Sequence, residues 1–339
     1  MGKTELSTLK ADLKAGTPAR CYIFHGEEAY LREYYTRQLR ELACSGPAGD
    51  FNYHKLDTRG LTVRQVSDAI EAVPLMGGIS LVELDDFDLY KAGEREQWVE
   101  LLNSLPEGST LLLVYDTVAW KPDRRIKKLT EALDRHAQVV EFEKQGTRQL
   151  ITWVRRRLRA LDKEIDDATA EYLIFRVGGG MTALASESDK LASYASGRAV
   201  TRRDVDAVTE PVLEAQVFSI VDALTARKTA NALRMLQDLL TLQEEPIAIL
   251  AAMGGQLRRL YAARVLRSDG GARALQELYK LSSYPARSTA ETAARLSLRW
   301  CARAVELCEQ TDYRIKTSYD DPGRLLELLL LTLAAEVAA

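Results

Sequence analysis

The run Tyr22-Ile23-Phe24-His25-Gly26-Glu27-Glu28-Ala29-Tyr30-Leu31-Arg32-Glu33 restricts the fold more than any other stretch of this chain. An apolar segment stops at a glycine and helix-compatible residues follow, the strand, turn and helix order of a nucleotide-binding α/β domain. A phosphate loop beginning at Gly26 requires glycine at position 31, lysine at 32 and serine or threonine at 33. Backbone N–H groups cradle the phosphates, the lysine reaches them, and the hydroxyl holds Mg²⁺. The chain has Leu31, Arg32 and Glu33 instead. Leu31 is expected to take up the phosphate's space, and Glu27, Glu28 and Glu33 put like charge beside a would-be polyphosphate. The segment predicts the scaffold of an ATPase without its chemistry, with neither catalytic residue nor cofactor.

The next hundred residues repeat the α/β pattern. Leu31, Tyr34, Tyr35, Gln38, Leu39 and Leu42 fall near helical spacing, and Gly46-Pro47 punctuates the end. Phe51 to Leu56 alternates as a strand does. Thr62 and Gln65 form a capping box for a helix with Val63, Val66, Ile70 and Val73 on one face, ended by Pro74. Ile79 to Leu84, Thr110 to Tyr115 and Gln138 to Phe142 read as strands, and Glu94 to Leu105 and Arg124 to His136 as helices. Five strands alternating with helices predict a mostly parallel sheet covered on both faces. Asp85 and Asp86 stand where a Walker B carboxylate would hold Mg²⁺. Without a phosphate cradle they are expected to be strand-end acids entering solvent, and so are Asp116 and Thr117.

From Gly146 onward only helical periods remain. The helix from Thr147 to Leu161 puts Leu150, Ile151, Val154, Leu158 and Leu161 inward and Arg155, Arg156, Arg157 and Arg159 largely outward. That arginine face suits solvent or a partner, and it could also meet phosphate backbones. Helices near Asp167 to Val177 and Met181 to Tyr194 flank Gly178-Gly179-Gly180, read as a turn because no strand precedes it. A short helix, Arg202 to Val208, leads to a boundary at Pro211. The last third has Pro246 at a first-turn position, then Arg258, Arg259, Arg264 and Arg267 along a long helix, an interruption at Tyr284-Pro285-Ala286-Arg287, and helices at Arg295 to Asp312 and Arg324 to Val337. The leucine run 325–331 is a core or oligomer helix, too short to span a membrane.

Length and composition agree with a folded chain of two or three domains. Of 339 residues, 46% are hydrophobic and 28% charged, and the net charge of −3 conceals a contrast. Residues 1–143 hold 18 Lys and Arg against 24 Asp and Glu, while residues 144–203 hold 12 against 7, so the segments face different neighbours. The four cysteines, Cys21, Cys44, Cys301 and Cys308, form no CxxC pair, and the three histidines provide no zinc cluster. Reduced, neutral thiols are expected and no metal site is. The first residues lack the apolar core of a signal peptide, and a cytoplasmic location is expected.

Four stretches in this order and spacing, Tyr22 to Leu31, Gly179 to Leu191, Glu245-Pro246-Ile247-Ala248-Ile249-Leu250 and Asp312-Tyr313-Arg314-Ile315-Lys316-Thr317, make the chain resemble the delta subunit family of the bacterial DNA polymerase III clamp loader. The resemblance implies an AAA+-like parallel-sheet domain at 1–143, a small three-helix lid domain at 144–210 and a C-terminal helical collar at 211–339. It implies a non-catalytic subunit that binds and opens the beta sliding clamp during DNA replication. Its partners would be the gamma/tau and delta prime loader subunits and primer–template DNA, with no membrane. It would have no ATPase of its own, although the holoenzyme is a DNA-directed DNA polymerase, a nucleotidyltransferase. Leu75 and Met76 align with the leucine and phenylalanine of the family's clamp-binding element. Two large apolar residues between Pro74 and Gly77-Gly78 can hardly both face one core. Arg155, Arg156, Arg258, Arg259 and Tyr284 are candidate DNA or partner contacts, although near Tyr284 the family carries a more apolar segment. Two other readings remain: an ATP-dependent AAA+ motor with an atypical loop at Gly26 to Glu33, and a stand-alone DNA-binding protein using the arginine clusters.

Overall fold

Successive strand residues point to opposite faces of a sheet, so a strand apolar at every position must be covered twice. Cys21, Tyr22, Ile23 and Phe24 are all buried, and both covers are present in the structure. It is a computed structural model that describes residues 6–45, 49–72, 78–266 and 271–338, and its packing separates two units, Met1–Gln145 and Gly146–Ala339. The first unit runs α1 (Leu6–Ala15), β1 (Cys21–His25), α2 (Ala29–Ala43), β2 (Tyr53–Leu56), α3 (Val63–Glu71), β3 (Ser80–Asp85), α4 (Arg95–Ser104), β4 (Ser109–Val114), α5 (Lys127–His136) and β5 (Ala137–Glu141). The strands pair in parallel in the order β2-β3-β4-β1-β5. Tyr22, Phe24, Leu81, Leu112 and Val140 pack with Leu9, Tyr35 and Leu39 of α1 and α2. Their neighbours Cys21, Ile23, Val82, Leu111 and Val139 pack on the opposite face with Val66, Ile70, Trp98, Leu102 and Leu129 of α3, α4 and α5.

Both bonds of the predicted capping box are made, with Gln65 N–H donating to Thr62 Oγ1 at 3.4 Å and Thr62 N–H to Gln65 Oε1 at 3.0 Å. Val73 and Pro74, expected to close that helix, lie outside the described residues, as do Gly46 and Pro47. One strand is shorter than its alternation predicts. Gly49–Asn52 is a 3₁₀ turn leading into β2, and Phe51 is 69% exposed. The turn is tight because Gly49 sits on the Cys44 backbone, where a Cβ would come within 2.1 Å of the carbonyl oxygen.

Apart from a parallel β-bridge between Glu164 and Ala199, the described elements of the second unit are helices: α6 (Thr147–Ala160), α7 (Asp167–Val177), α8 (Met181–Tyr194), α9 (Arg202–Val208), α10 (Leu213–Thr225), α11 (Thr229–Thr241), α12 (Pro246–Val265), α13 (Gly271–Tyr279), α14 (Ser283–Ala294), α15 (Leu298–Thr317) and α16 (Pro322–Ala338). The short helix expected at Arg202 to Val208 is α9, a fourth helix in the region that the resemblance gives as a three-helix lid. The last seven helices enclose one apolar core, in which Leu326, Leu329, Leu330 and Leu333 of α16 meet Ile249, Met253 and Leu257 of α12. Leu328 and Leu331 remain about half exposed. Cys301 and Cys308 lie in this core, and burial pushes their thiols up to about 11 and about 12. The sequence placed an interruption at Tyr284 to Arg287, whereas these residues form the first turn of α14. Pro285 is tolerated there because the first N–H groups of a helix have no partner inside it. No described helix is long and apolar enough to cross a membrane.

Candidate functional sites

The turn after β1 stands where a phosphate loop would, and it needs its glycine for a reason of its own. Gly26 has φ 120°, and a Cβ on it would meet the Phe142 carbonyl oxygen at 2.4 Å. Residue 142 closes over the turn: its N–H donates to the His25 carbonyl at 2.7 Å, and Glu28 N–H donates to its carbonyl at 2.9 Å. Only glycine fits. The N-terminus of α2, where an ATPase would hold phosphate, is capped by the chain's own Glu28, whose carboxylate accepts from Tyr30 N–H at 3.3 Å. Burial raises the pKa of Glu28, against the Tyr30 N–H and the charges of Lys144 and Arg32, which lower it.

Arg32 supplies the rest of the closure. It is buried, donates from Nη1 to the Gly26 carbonyl at 2.5 Å, and pairs through Nη2 with Asp116. Leu31 does not occupy the phosphate's space as the sequence predicts; it packs against the core under α2. Arg32 instead lines the cavity of about 430 Å³ between Gly26 and Trp120. A helix places residues three apart on one side and adjacent ones on different sides, so residues 31 and 32 part company.

The acids at the strand ends do not simply enter solvent, which corrects a second expectation. Asp86, with φ 52°, accepts from the N–H groups of Asp116 (2.7 Å), Thr117 (3.0 Å) and Val118 (3.0 Å) and from the Thr117 hydroxyl (2.5 Å). The turn after β4 is a nest around an internal carboxylate. Burial pushes the pKa of Asp86 up, but these four bonds together outweigh it and hold it below the usual range. Asp116 is the partner of Arg32. Alternation on β3 puts Glu83 on the same face as Leu81, toward α2, where it is fully buried. Arg40 grips both its oxygens at 2.7 and 2.6 Å, and Tyr53 OH (3.1 Å) and Lys55 (3.2 Å) add to the cluster. Burial opposes ionisation of Glu83, yet Arg40 and Lys55 bring its pKa below the ordinary value. Asp85, which shares Lys55, is raised by burial and by the Glu83 charge. These residues do not fit a nucleoside triphosphate with Mg²⁺: the cation is spent on Asp116 and Gly26, and the acids on the protein's own donors. Among the described residues no group of three or more His, Cys, Asp or Glu is placed to hold a metal ion.

The other candidates divide. Leu75 and Met76 lie outside the described residues, as does Arg267. Arg155 and Arg156 are exposed on α6, and Arg155 pairs with Asp167 at 2.7 Å. Arg155 also lines a cavity of about 620 Å³ with Arg159, Lys163 and Arg202, and Arg156 does not. Arg258 is exposed on α12, while Arg259 beside it is half-buried, and burial lowers its pKa. Tyr284 belongs to a ring cluster: it lies 5.3 Å from Tyr172 and from Phe175 of α7, and Phe175 lies 5.1 Å from Phe218 of α10. The Arg202 guanidinium rests 3.9 Å from the Tyr172 ring centre and donates to Tyr284 OH at 2.8 Å, and Glu171 accepts from Tyr284 N–H at 3.0 Å. Sequence reasoning passed over Lys163, which follows just beyond the end of α6, and Arg202, which is far along the chain from the arginine face it joins.

A parallel sheet of this order, with the turn after its first strand closed by charged side chains and helices following, defines an AAA+-like fold. The model of the family "DNA polymerase III, delta subunit" matches residues 22–143, and that of "DNA polymerase III delta subunit, C-terminal domain" matches residues 214–333. DNA polymerase III subunit delta of Bacillus subtilis strain 168 is 27% identical over 330 residues, covering 95% of this chain and 94% of that one. The Escherichia coli K12 subunit delta is 26% identical over 218 residues, covering 64% and 63%. The solved structure of the Bacillus subtilis DNA clamp loader delta protein (YqeN) aligns with TM-score 0.55 at 25% identity, covering 98% of this chain and 100% of that one. The chain belongs to the DNA polymerase III delta subunit family.

Proposed function

We propose that this chain acts in the replication clamp loader as a non-catalytic subunit that binds and opens the sliding clamp. The observation that carries the reading is the combination of family membership over both ends of the chain with a nucleotide position filled by Glu28, Arg32 and Asp116. A subunit so built works by contact and not by hydrolysis. It speaks against an ATP-driven motor, since the Arg32 guanidinium would have to leave both of its partners before a phosphate could enter. In this reading residues 1–143 bind the clamp, 144–210 form the lid, and 211–339 form the collar that joins the gamma/tau and delta prime subunits around primer–template DNA in the cytoplasm. Leu75 and Met76 are the clamp anchor, supported by their alignment with the family's apolar pair and by methionine being a flexible but still large apolar group.

The test is a calorimetric titration of the purified chain against the sliding clamp of the same organism. Full burial of a large apolar side chain is worth roughly 1.5 to 3 kcal/mol. Replacing both, Leu75→Ala with Met76→Ala, should weaken binding by about 3 to 6 kcal/mol, on the order of a hundredfold to ten-thousandfold, with cooperative unfolding retained. Wild-type clamp affinity in the double variant would refute the site, and loss of cooperative unfolding would place the pair in the core.

A further inference from the structure

The cavity of about 620 Å³ in the second unit is lined by four cations from three stretches of chain: Arg155 and Arg159 one turn apart on α6, Lys163 after it, and Arg202 at the start of α9. Its two acids are already engaged. Glu164 pairs with Arg198 at 2.9 Å, and Asp166 caps α7 by accepting from Thr169 N–H at 2.6 Å. The cations are less well satisfied. Arg155 has Asp167, but Lys163 donates to the neutral carbonyls of Ala195 and Gly197, and Arg202 to a phenol and a ring face. Arg159 is exposed and has no ion pair among the described residues. The walls are held in place without any ligand. Glu164 N–H donates to the Arg198 carbonyl at 2.8 Å, Val200 N–H donates to the Glu164 carbonyl at 2.7 Å, and buried Ile165 and Val200 form the floor.

We propose that this cavity binds a phosphate-bearing anion, either the phosphodiester backbone of a nucleic acid strand or a free polyphosphate. Guanidinium forks match phosphate oxygens in pairs and form short, charge-assisted bonds. Arg159, Lys163 and Arg202 have no ion pair among the described residues, and an anion arriving between them relieves their mutual repulsion. The walls are formed in advance, so binding orders little backbone. Only the preference for a nucleic acid strand over a free polyphosphate rests on the clamp-loader reading.

The test uses the full chain, a labelled single-stranded oligonucleotide followed by anisotropy across a salt series, and tripolyphosphate followed by calorimetry. Arg159→Glu is expected to weaken oligonucleotide binding on the order of tenfold and to reduce the salt slope by about one, with unchanged melting. Arg148→Glu, on the same helix but outside the cavity, should change binding less than about twofold. Tripolyphosphate binding that is lost in Arg159→Glu, with no oligonucleotide binding, would make the free polyphosphate the source. Equal losses in the two variants, no loss in Arg159→Glu, or no binding of either anion to the wild-type chain would overturn the site. The same Arg159→Glu protein should keep wild-type clamp affinity. Loss of the clamp by the wild-type chain, with anion binding intact, would sink the clamp-loader reading and leave the cavity standing.

Discussion

Two charged concavities of this molecule have opposite electrostatic habits. In the hollow at Gly26 of the first unit Arg32 faces Asp116, and elsewhere on the same sheet Asp86 sits in a nest of N–H groups and Glu83 is gripped by Arg40 and Lys55. In the cavity of the second unit Glu164 pairs with Arg198 and Asp166 caps a helix, while Arg159, Lys163 and Arg202 have no ion pair among the described residues. Whether a hollow can take a ligand depends less on its volume than on whether its charges are already satisfied. The first hollow has turned its charges into structure, and the second holds them in reserve.

If that contrast holds, substitutions at Gly26 and among the paired charges of the first unit should destabilise the protein and substitutions in the second hollow should not. The largest effect is expected at Gly26, where alanine combines a left-handed backbone with a Cβ pressed on the Phe142 backbone. Gly26→Ala should destabilise the first unit by about 4 kcal/mol, read by urea denaturation; near-wild-type stability would mean that residue 142 can retreat. Glu83→Gln comes next. It leaves Arg40 and Lys55 beside a neutral amide, and should cost about 2 to 3 kcal/mol. That is less than the roughly 3 to 5 kcal/mol of a wholly buried pair, since both cations reach solvent.

Asp86 adds a smaller effect with a definite pH sense. Its folded pKa is depressed, so the unfolded chain binds more protons in the window between the two values. Its stabilisation is present above the unfolded value, about 3.9 for Asp, and is lost as the pH falls through the folded one. Asp86→Asn should lower stability at neutral pH by about 1 kcal/mol and flatten the acid limb of the stability curve. Asp85 works in the opposite sense, because its folded pKa is raised; an acid limb unchanged in Asp86→Asn would assign that limb to other groups. The smallest effect is expected in the second hollow. Arg159→Glu should leave stability within about 0.5 kcal/mol of wild type, and a larger loss would show that its charge also holds the fold.

Features made by near neighbours were legible in the sequence. Thr62 and Gln65 announce their capping box, and the apolar run into Gly26 announces the first strand and its turn, because each depends on residues a few positions apart. The pairing of Arg32 with Asp116 spans 84 positions, and no local pattern carries it. Glu83 reads as a polar blemish in an apolar strand until Arg40 is seen above it. Pro285 reads as a breaker in the sequence, yet in the first turn of a helix it breaks nothing. In the candidate site, the α6 arginines were visible as a face, but their division into cavity-lining Arg155 and Arg159 and outlying Arg156 depends on where Lys163 and Arg202 arrive.

The ring cluster at Tyr284 has a mechanical consequence. Helices α7 and α10 are joined by a chain that would let them swing if nothing else held them. Phe175, Phe218, Tyr172 and Tyr284 interlock across α7, α10 and α14, and the Arg202 of α9 lies on two of those rings. Close-packed rings transmit displacement and do not absorb it. A displacement of α14 would therefore be handed through these rings to Arg202, and so to the rim of the basic cavity.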